Sequence, residues 1–136
     1  MSKKLFVFLL VIMFGLRLSI AQTEIVKVAA EDKQKAERFY NEGIKHYKSA
    51  EFQQALDKFD AAIAEKDSFD IALYNKGIVL RDMKRYDESV SAFTKAIEIN
   101  ADAKYYLFRG QAKFDLVKLE DAFDDYSKAI ELDTNY

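Results

Sequence analysis

Large and small apolar residues recur along this chain in a pattern that is written three times. Phe52, Ala55, Leu56, Phe59, Ala62 and Ile63 follow one another at steps of three, one, three, three and one residues. In an α-helix this spacing gathers all six on one face. Tyr86, Ser89, Val90, Phe93, Ala96 and Ile97 repeat the stripe 34 residues later. Leu119, Ala122, Phe123, Tyr126, Ala129 and Ile130 repeat it again after a further 33. Large positions match large and small match small. Amphipathicity alone would not require that match, so the pattern predicts an internal repeat rather than three unrelated surface helices.

A second helical segment precedes each stripe. The pattern predicts six helices in three pairs, near residues 31–48, 52–65, 70–83, 86–98, 102–116 and 119–132. Gly43, Gly77 and Gly110 fall inside the first helix of each pair. Glycine there costs ~1 kcal/mol relative to alanine, so three in register imply close helix contact. Each is expected to face the small residue of its partner helix (Ala55, Ser89 or Ala122), with Phe39, Leu73 or Tyr106 filling the space beside it. The turns at 49–51, 84–85 and 117–118 are short, which makes paired helices antiparallel. Between pairs, Asp67 and Ser68, and then Asn100 to Asp102, are expected to supply N-caps. The fold class is all-α, a stack of three helix-turn-helix hairpins.

The amino terminus does not follow the pattern. A basic start with Lys3 and Lys4 leads into an apolar run from Leu5 to Leu16, and Ser19 and Ala21 place small residues before Gln22. That order is the order of a secretory signal peptide. The apolar run is shorter than the ~20 residues a spanning helix needs. Cleavage is expected after Ala21, with an uncleaved anchor as the alternative. Residues 1–21 then form the signal, 22–35 a lead-in and helix start, and 36–136 the repeat domain, divided at about 36–69, 70–102 and 103–136. The localisation expected is export across an inner membrane to the periplasm. Cleavage would remove three basic residues and no acidic one, making the remainder more acidic than the −2 of the whole chain.

Composition narrows the chemistry. The chain has no basic excess, which argues against a nucleic-acid partner. It has no Cys, no Pro and one His. His46 lacks a second nitrogen ligand or a nucleophile to serve, so it reads as a packing residue rather than a metal or acid–base site. The acidic stretch from Asp121 to Asp125 lies on a helical segment without a glycine kink, which disfavours a calcium loop. No phosphate loop or catalytic triad pattern occurs. The expectation is a non-enzymatic protein with no cofactor, no metal and no small-molecule substrate.

The period, the glycine-bearing first helix and the small-x3-aromatic-x2-Ala core of the second together resemble the tetratricopeptide repeat. That core reads Ala55/Phe59/Ala62, Ser89/Phe93/Ala96 and Ala122/Tyr126/Ala129. The sequence departs from the family at Glu42, Lys76 and Arg109, where an apolar residue usually precedes the glycine. It departs again at His46 and Lys113, where Leu80 fills the middle copy, and at the missing proline between repeats. The resemblance implies a right-handed superhelical stack whose first helices line a concave groove for a peptide or a segment of a partner protein. The exposed stripe of those helices supplies the candidate binding residues. They are Tyr40, Asn41, Ile44 and Tyr47 in the first hairpin, Tyr74, Asn75, Ile78 and Arg81 in the second, and Lys104, Leu107, Phe108, Gln111 and Phe114 in the third. A subgroup of the family clamps a chaperone carboxylate tail with five Lys, Asn and Arg side chains. Asn75 and Lys104 match that set, while Tyr40, Ile44 and Phe108 do not, so no such clamp is expected. The alternative function is a self-associating envelope subunit, joined through an open apolar end at Leu116, Phe123 and Ile130.

Overall fold

The structure, a computed structural model, describes the backbone of residues 3–134 and the side chains of residue 17 and residues 21–134. The leader read in residues 1–21 rests mainly on side chains outside that set. The described residues form six helices: α1 (Lys3–Lys48), α2 (Phe52–Glu65), α3 (Asp70–Asp82), α4 (Tyr86–Ile99), α5 (Ala103–Asp115) and α6 (Leu119–Leu132). The described residues include no strand. From the second onward, the helices begin and end within a residue of the boundaries expected from their stripes.

The first helix differs, because it is already formed well ahead of residue 31. No glycine or proline stands between Gly15 and Gly43 to end it, and Glu, Ala, Lys and Gln propagate it well. The chain divides into two compact units, Met1–Gln34 and Lys35–Tyr136. In the first, every described side chain is exposed, including Ile25, Val26 and Val28. Among the described residues, no helix is long and apolar enough to cross a membrane.

The second unit holds the core. Ala55, Leu56 and Phe59 of α2 meet Val79 and Leu80 of α3 and Ala92 of α4, with Tyr40, Ile44 and Tyr47 of α1 packed against them. A neighbouring cluster joins Ala36, Ala62, Phe69 and Ala72, and a third joins Leu73, Ala96 and Tyr105. Apolar faces of successive hairpins thus bury one another, as expected of a stack in which no hairpin could stand alone.

The glycines make close contacts, but not the contacts expected. A Cβ placed on Gly77 would lie 2.7 Å from the Phe93 ring, and one on Gly43 would lie 2.7 Å from Phe59. On Gly110 it would lie 2.8 Å from Tyr126. The glycine therefore makes room for the aromatic ring, not for the small residue four positions earlier. The small residue has a different task. Ser89 is fully buried and donates its hydroxyl to the Gly77 carbonyl at 2.7 Å, so the polar atom is satisfied at the crossing.

Each hairpin closes in the same way. Ala50, Lys84 and Val117 adopt φ of 57°, 61° and 62°. Backbone amides then reach back from Glu51 to the His46 carbonyl, from Arg85 to Leu80 and from Lys118 to Lys113. This is the Schellman closure without its usual glycine. The left-handed conformation costs an L-residue roughly 1–2 kcal/mol, and branching at Cβ makes it worse. Val117→Gly is therefore expected to raise the melting midpoint by the equivalent of about 0.5–1 kcal/mol after the added freedom of the unfolded chain is subtracted. A lower midpoint would show that the valine side chain is held in a contact worth more than the strain.

One of the two expected N-caps is present. Asp102 accepts from the Lys104 amide at 2.9 Å. Asp67 and Ser68 do not cap α3, whose N-cap position is Phe69. Phe69 is drawn into the core beside Ala36, Ala62 and Ala72, and its burial sets where the helix starts. Asp70, one residue on, then serves the first turn.

The departures at Glu42, Lys76 and Arg109 have a structural answer. Glu42 pairs with Lys58 at 2.6 Å in the first hairpin, and Arg109 pairs with Asp125 at 2.6 Å in the third. These are the same two register positions with the charges exchanged. In the middle hairpin the partner position is Ala92, and Lys76 turns to Asp60 of the preceding helix. The third hairpin goes furthest. Asp125 is buried, and Arg109 grips it through both carboxylate oxygens while Lys113 reaches it at 2.9 Å.

Candidate functional site

The first helices of the three hairpins are tied together by side chains that cross from one repeat to the next. Tyr47 of α1 donates its hydroxyl to Asp82 of α3 at 2.7 Å. Asn75 of α3 donates to the Tyr40 hydroxyl at 3.1 Å and to the Ile71 carbonyl at 2.9 Å. Arg81 of α3 donates to Asp115 and to Gln111 of α5, each at 2.9 Å. Tyr105 of α5 donates to Asp70 of α3 at 2.8 Å, and Asn100 reaches the same oxygen. Most of these bonds span 34 or 35 residues, one period of the repeat. They make α1, α3 and α5 a continuous surface.

The candidate residues divide into three groups on that surface. Tyr40, Ile44, Tyr47 and Tyr74 are half-buried and pack on the core clusters. The Tyr40 ring lies 5.9 Å from Phe59 and 5.3 Å from Phe69. The Tyr74 ring lies 5.0 Å from Tyr105 and meets Phe108 edge-on at 5.4 Å. These side chains help hold the fold. Asn75, Arg81 and Gln111 join Tyr40 and Tyr47 in the bridges. Asn41, Ile78, Lys104, Leu107, Phe108 and Phe114 complete the set. Asn41 and Phe114 are exposed, and Ile78 lies outside the three core clusters. The Lys104 ammonium lies over the Tyr74 and Tyr105 rings and 3.4 Å from Asp102.

Asn75, one of the two residues shared with the carboxylate-clamping subgroup, is spent on Tyr40 and its own helix, and Lys104 sits against Asp102. Asp82, Asp115, Asp70 and Tyr105 are the residues that pattern reading missed as bridging partners. The recurrence of Asp82 and Asp115 at one period was the only available signal. Nothing in the sequence marks Asp70 and Tyr105 as partners.

Burial shifts the Tyr40, Tyr47 and Tyr105 hydroxyls in the same direction, upward. Burial, and then the hydrogen bond to Asp82 with its charge, push Tyr47 up to about 12. Burial and the contact with Asp70 also push Tyr105 upward. For Asp70, burial acts to raise the carboxyl. Hydrogen bonds from Asn100, Tyr105 and the amides at its helix start outweigh it and hold the group below its ordinary value. An unfolded tyrosine releases its proton near 10, whereas folded Tyr47 keeps its proton to about 12. The folded state therefore binds more protons across that window, and stability falls as pH rises through it. Tyr47→Phe is expected to lose less stability than the native chain between pH of about 10 and 12 in thermal melts. An identical decline would remove Tyr47 from the cause.

Other chemistry is sparse. His46 contacts Glu51 at 2.5 Å in the adjoining turn. No cluster of three metal-ligating side chains occurs among the described residues. A cleft of about 150 Å³ lies between α3 and α4, lined by Leu73, Lys76, Leu80, Glu88, Ser91, Ala92 and Lys95. It opens where Ala92 replaces the charged partner found in the other hairpins, and it lies away from the candidate residues.

Comparison with known proteins gives a consistent picture. Residues 71–102 and 103–136 each match a family model described as tetratricopeptide repeat. A protein named STIP1 homolog in Dictyostelium discoideum is 38% identical over 102 residues, covering 68% of this chain and 18% of that protein. RNA polymerase II-associated protein 3 of Homo sapiens is 29% identical over 105 residues, covering 76% and 16%. The chain thus spans less than a fifth of either relative. Among solved structures, the first TPR of Spaghetti (RPAP3) bound to the HSP90 peptide SRMEEVD is 28% identical with a TM-score of 0.74, covering 76% of this chain and 83% of that one.

Proposed function

Because this chain is a stack of tetratricopeptide repeats, we propose that it is a non-enzymatic scaffold holding a segment of another protein along α1, α3 and α5. The continuous, bridged surface of those three helices carries this reading. Its polar bridges fix the side chains in place before a partner arrives, which lowers the ordering cost of binding. The similar domain of Spaghetti was solved with a peptide bound, which supports a peptide as the occupant here. The use of Asn75 and Lys104 within the fold favours a segment recognised by side chains rather than by a terminal carboxylate. This reading assigns recognition to Ile78, Phe108 and Asn41.

A photo-cross-linking amino acid placed at Ile78 in the full chain is expected to capture a partner that the same group at Ser91, on the exposed side of α4, does not. Ile78→Asp is expected to weaken that capture about tenfold while leaving helicity unchanged. Equal capture from both positions would sink the proposal.

Export is part of the same proposal, supported by the basic start, apolar run and small residues of 1–21. The mature protein would then work in the periplasm. Protein recovered from an envelope fraction should have an intact mass that begins at Gln22, and a mass that includes Met1 would overturn cleavage.

A further inference from the structure

We propose that the outer face of α6 is a second docking surface, built for an amphipathic α-helix of a partner protein whose apolar stripe is flanked by Lys and Arg. Register shows what this face lacks. Leu56, Val90 and Phe123 are equivalent, as are Ile63, Ile97 and Ile130. Leu56 is buried against Val79 and Leu80 of the following hairpin, and Ile63 packs on Phe69 and Ala72. Ile97 packs on the cluster of Leu73, Ala96 and Tyr105. Phe123 is 70% exposed and Ile130 50%, and Leu119 beside them is also exposed. No described element covers them. An apolar stripe of this size on a surface marks a contact site.

The bridging positions indicate the kind of contact. Tyr47, Arg81 and Phe114 are equivalent. The first two reach carboxylates of the next hairpin, Asp82 and Asp115. Phe114 has no polar group to offer and is 57% exposed. The third hairpin thus replaces a polar bridge with an apolar contact, so another copy of the same hairpin is not what it suits.

Charge narrows the occupant further. Glu120, Asp124 and Glu131 are exposed and share the helical edge beside the stripe, with Lys128 engaged by Glu131 at 2.8 Å. Basic residues on the incoming helix would meet that edge. The same charges disfavour a second copy docked α6 to α6. Head-to-tail stacking is disfavoured at the other end, because exposed Arg38 and Lys45 stand where Ala72 and Val79, and then Tyr105 and Ala112, are buried.

The test uses the full chain and two synthetic helical peptides with the same apolar stripe, one edged with lysine and the other with glutamate. Fluorescence anisotropy is expected to show the lysine peptide binding at least about tenfold more tightly than the glutamate peptide. Phe123→Asp should weaken it about tenfold, and Ile78→Asp should leave it unchanged. Phe123 is exposed, so its substitution should leave the helical circular dichroism intact. The proposal is overturned if the two peptides bind equally, if Phe123→Asp has no effect, or if Ile78→Asp weakens binding as much. It is also overturned if the protein alone sediments as a dimer that Phe123→Asp dissociates, since a second copy would then be the occupant.

Discussion

Gly77→Leu is expected to cost about 3 kcal/mol, at the upper end of what overpacking a core does. The larger side chain has nowhere to go. The space beyond the Gly77 Cα is filled by Phe93, whose ring would lie 2.7 Å from even a bare Cβ. Phe93 is fully buried and is itself held by Tyr74 and Phe108, with ring centres at 5.9 and 6.2 Å. It cannot rotate away without displacing both. Gly77→Ala separates the causes. Alanine is the better helix former by ~1 kcal/mol, so helix propensity predicts stabilisation and packing predicts a loss of about 1–3 kcal/mol. Packing should win, because the clash is with a buried ring and not with a flexible chain end. Shortening the ring by Phe93→Leu should restore part of the loss in the alanine background. Denaturant melts of the two single variants and the double would show a favourable coupling of about 1 kcal/mol. Additive effects would mean that the glycine and the ring do not share that space.

Asp125→Ala is expected to cost about 3 kcal/mol, the scale for removing one member of a buried ionic group. Arg109 and Lys113 are each more than four-fifths buried in the folded chain and converge on that carboxylate at 2.6 and 2.9 Å. Without it, two positive charges one turn apart on α5 are left without their partner on α6. Each has part of its side chain near solvent, so some of the penalty can be relieved by turning outward. Replacing all three by apolar residues is a different experiment. Arg109→Met, Lys113→Leu and Asp125→Ala together imitate the Leu80 and Ala92 of the middle hairpin, and the combination should lie within about 1 kcal/mol of the native stability. If the triple variant is as unstable as Asp125→Ala alone, the three charges contribute stability that an apolar core cannot replace. The exchanged pair in the first hairpin, Glu42 with Lys58, shows that either polarity fits the two positions.

The candidate surface was only partly legible beforehand. Helical spacing assigns faces, so it placed the candidate residues on the outward stripe of α1, α3 and α5. It could not separate Tyr40, whose ring packs between Phe59 and Phe69, from Asn41, which is exposed. Both positions precede the glycine by a few residues and differ by one step around the helix. Which of them is covered depends on the neighbouring hairpin. The bonds from Tyr47 to Asp82 and from Tyr105 to Asp70 join residues 35 apart. No local pattern encodes a contact at that range.

Sequence sufficed for the repeat itself. Three stripes with matched side-chain sizes, three glycines in register and short turns define the six helices and their pairing, because helix periodicity and turn length act within a few residues. The tertiary structure decided what each residue does within that frame. It placed aromatic rings over the glycines, where the small residues had been expected, because a flat ring fills the space left by a missing Cβ. It turned the irregular charges at Glu42, Arg109 and Lys113 into ion pairs. It also separated stripes that looked alike. Leu56 is buried and Phe123 is bare, since burial depends on what packs against a face as well as on the face itself.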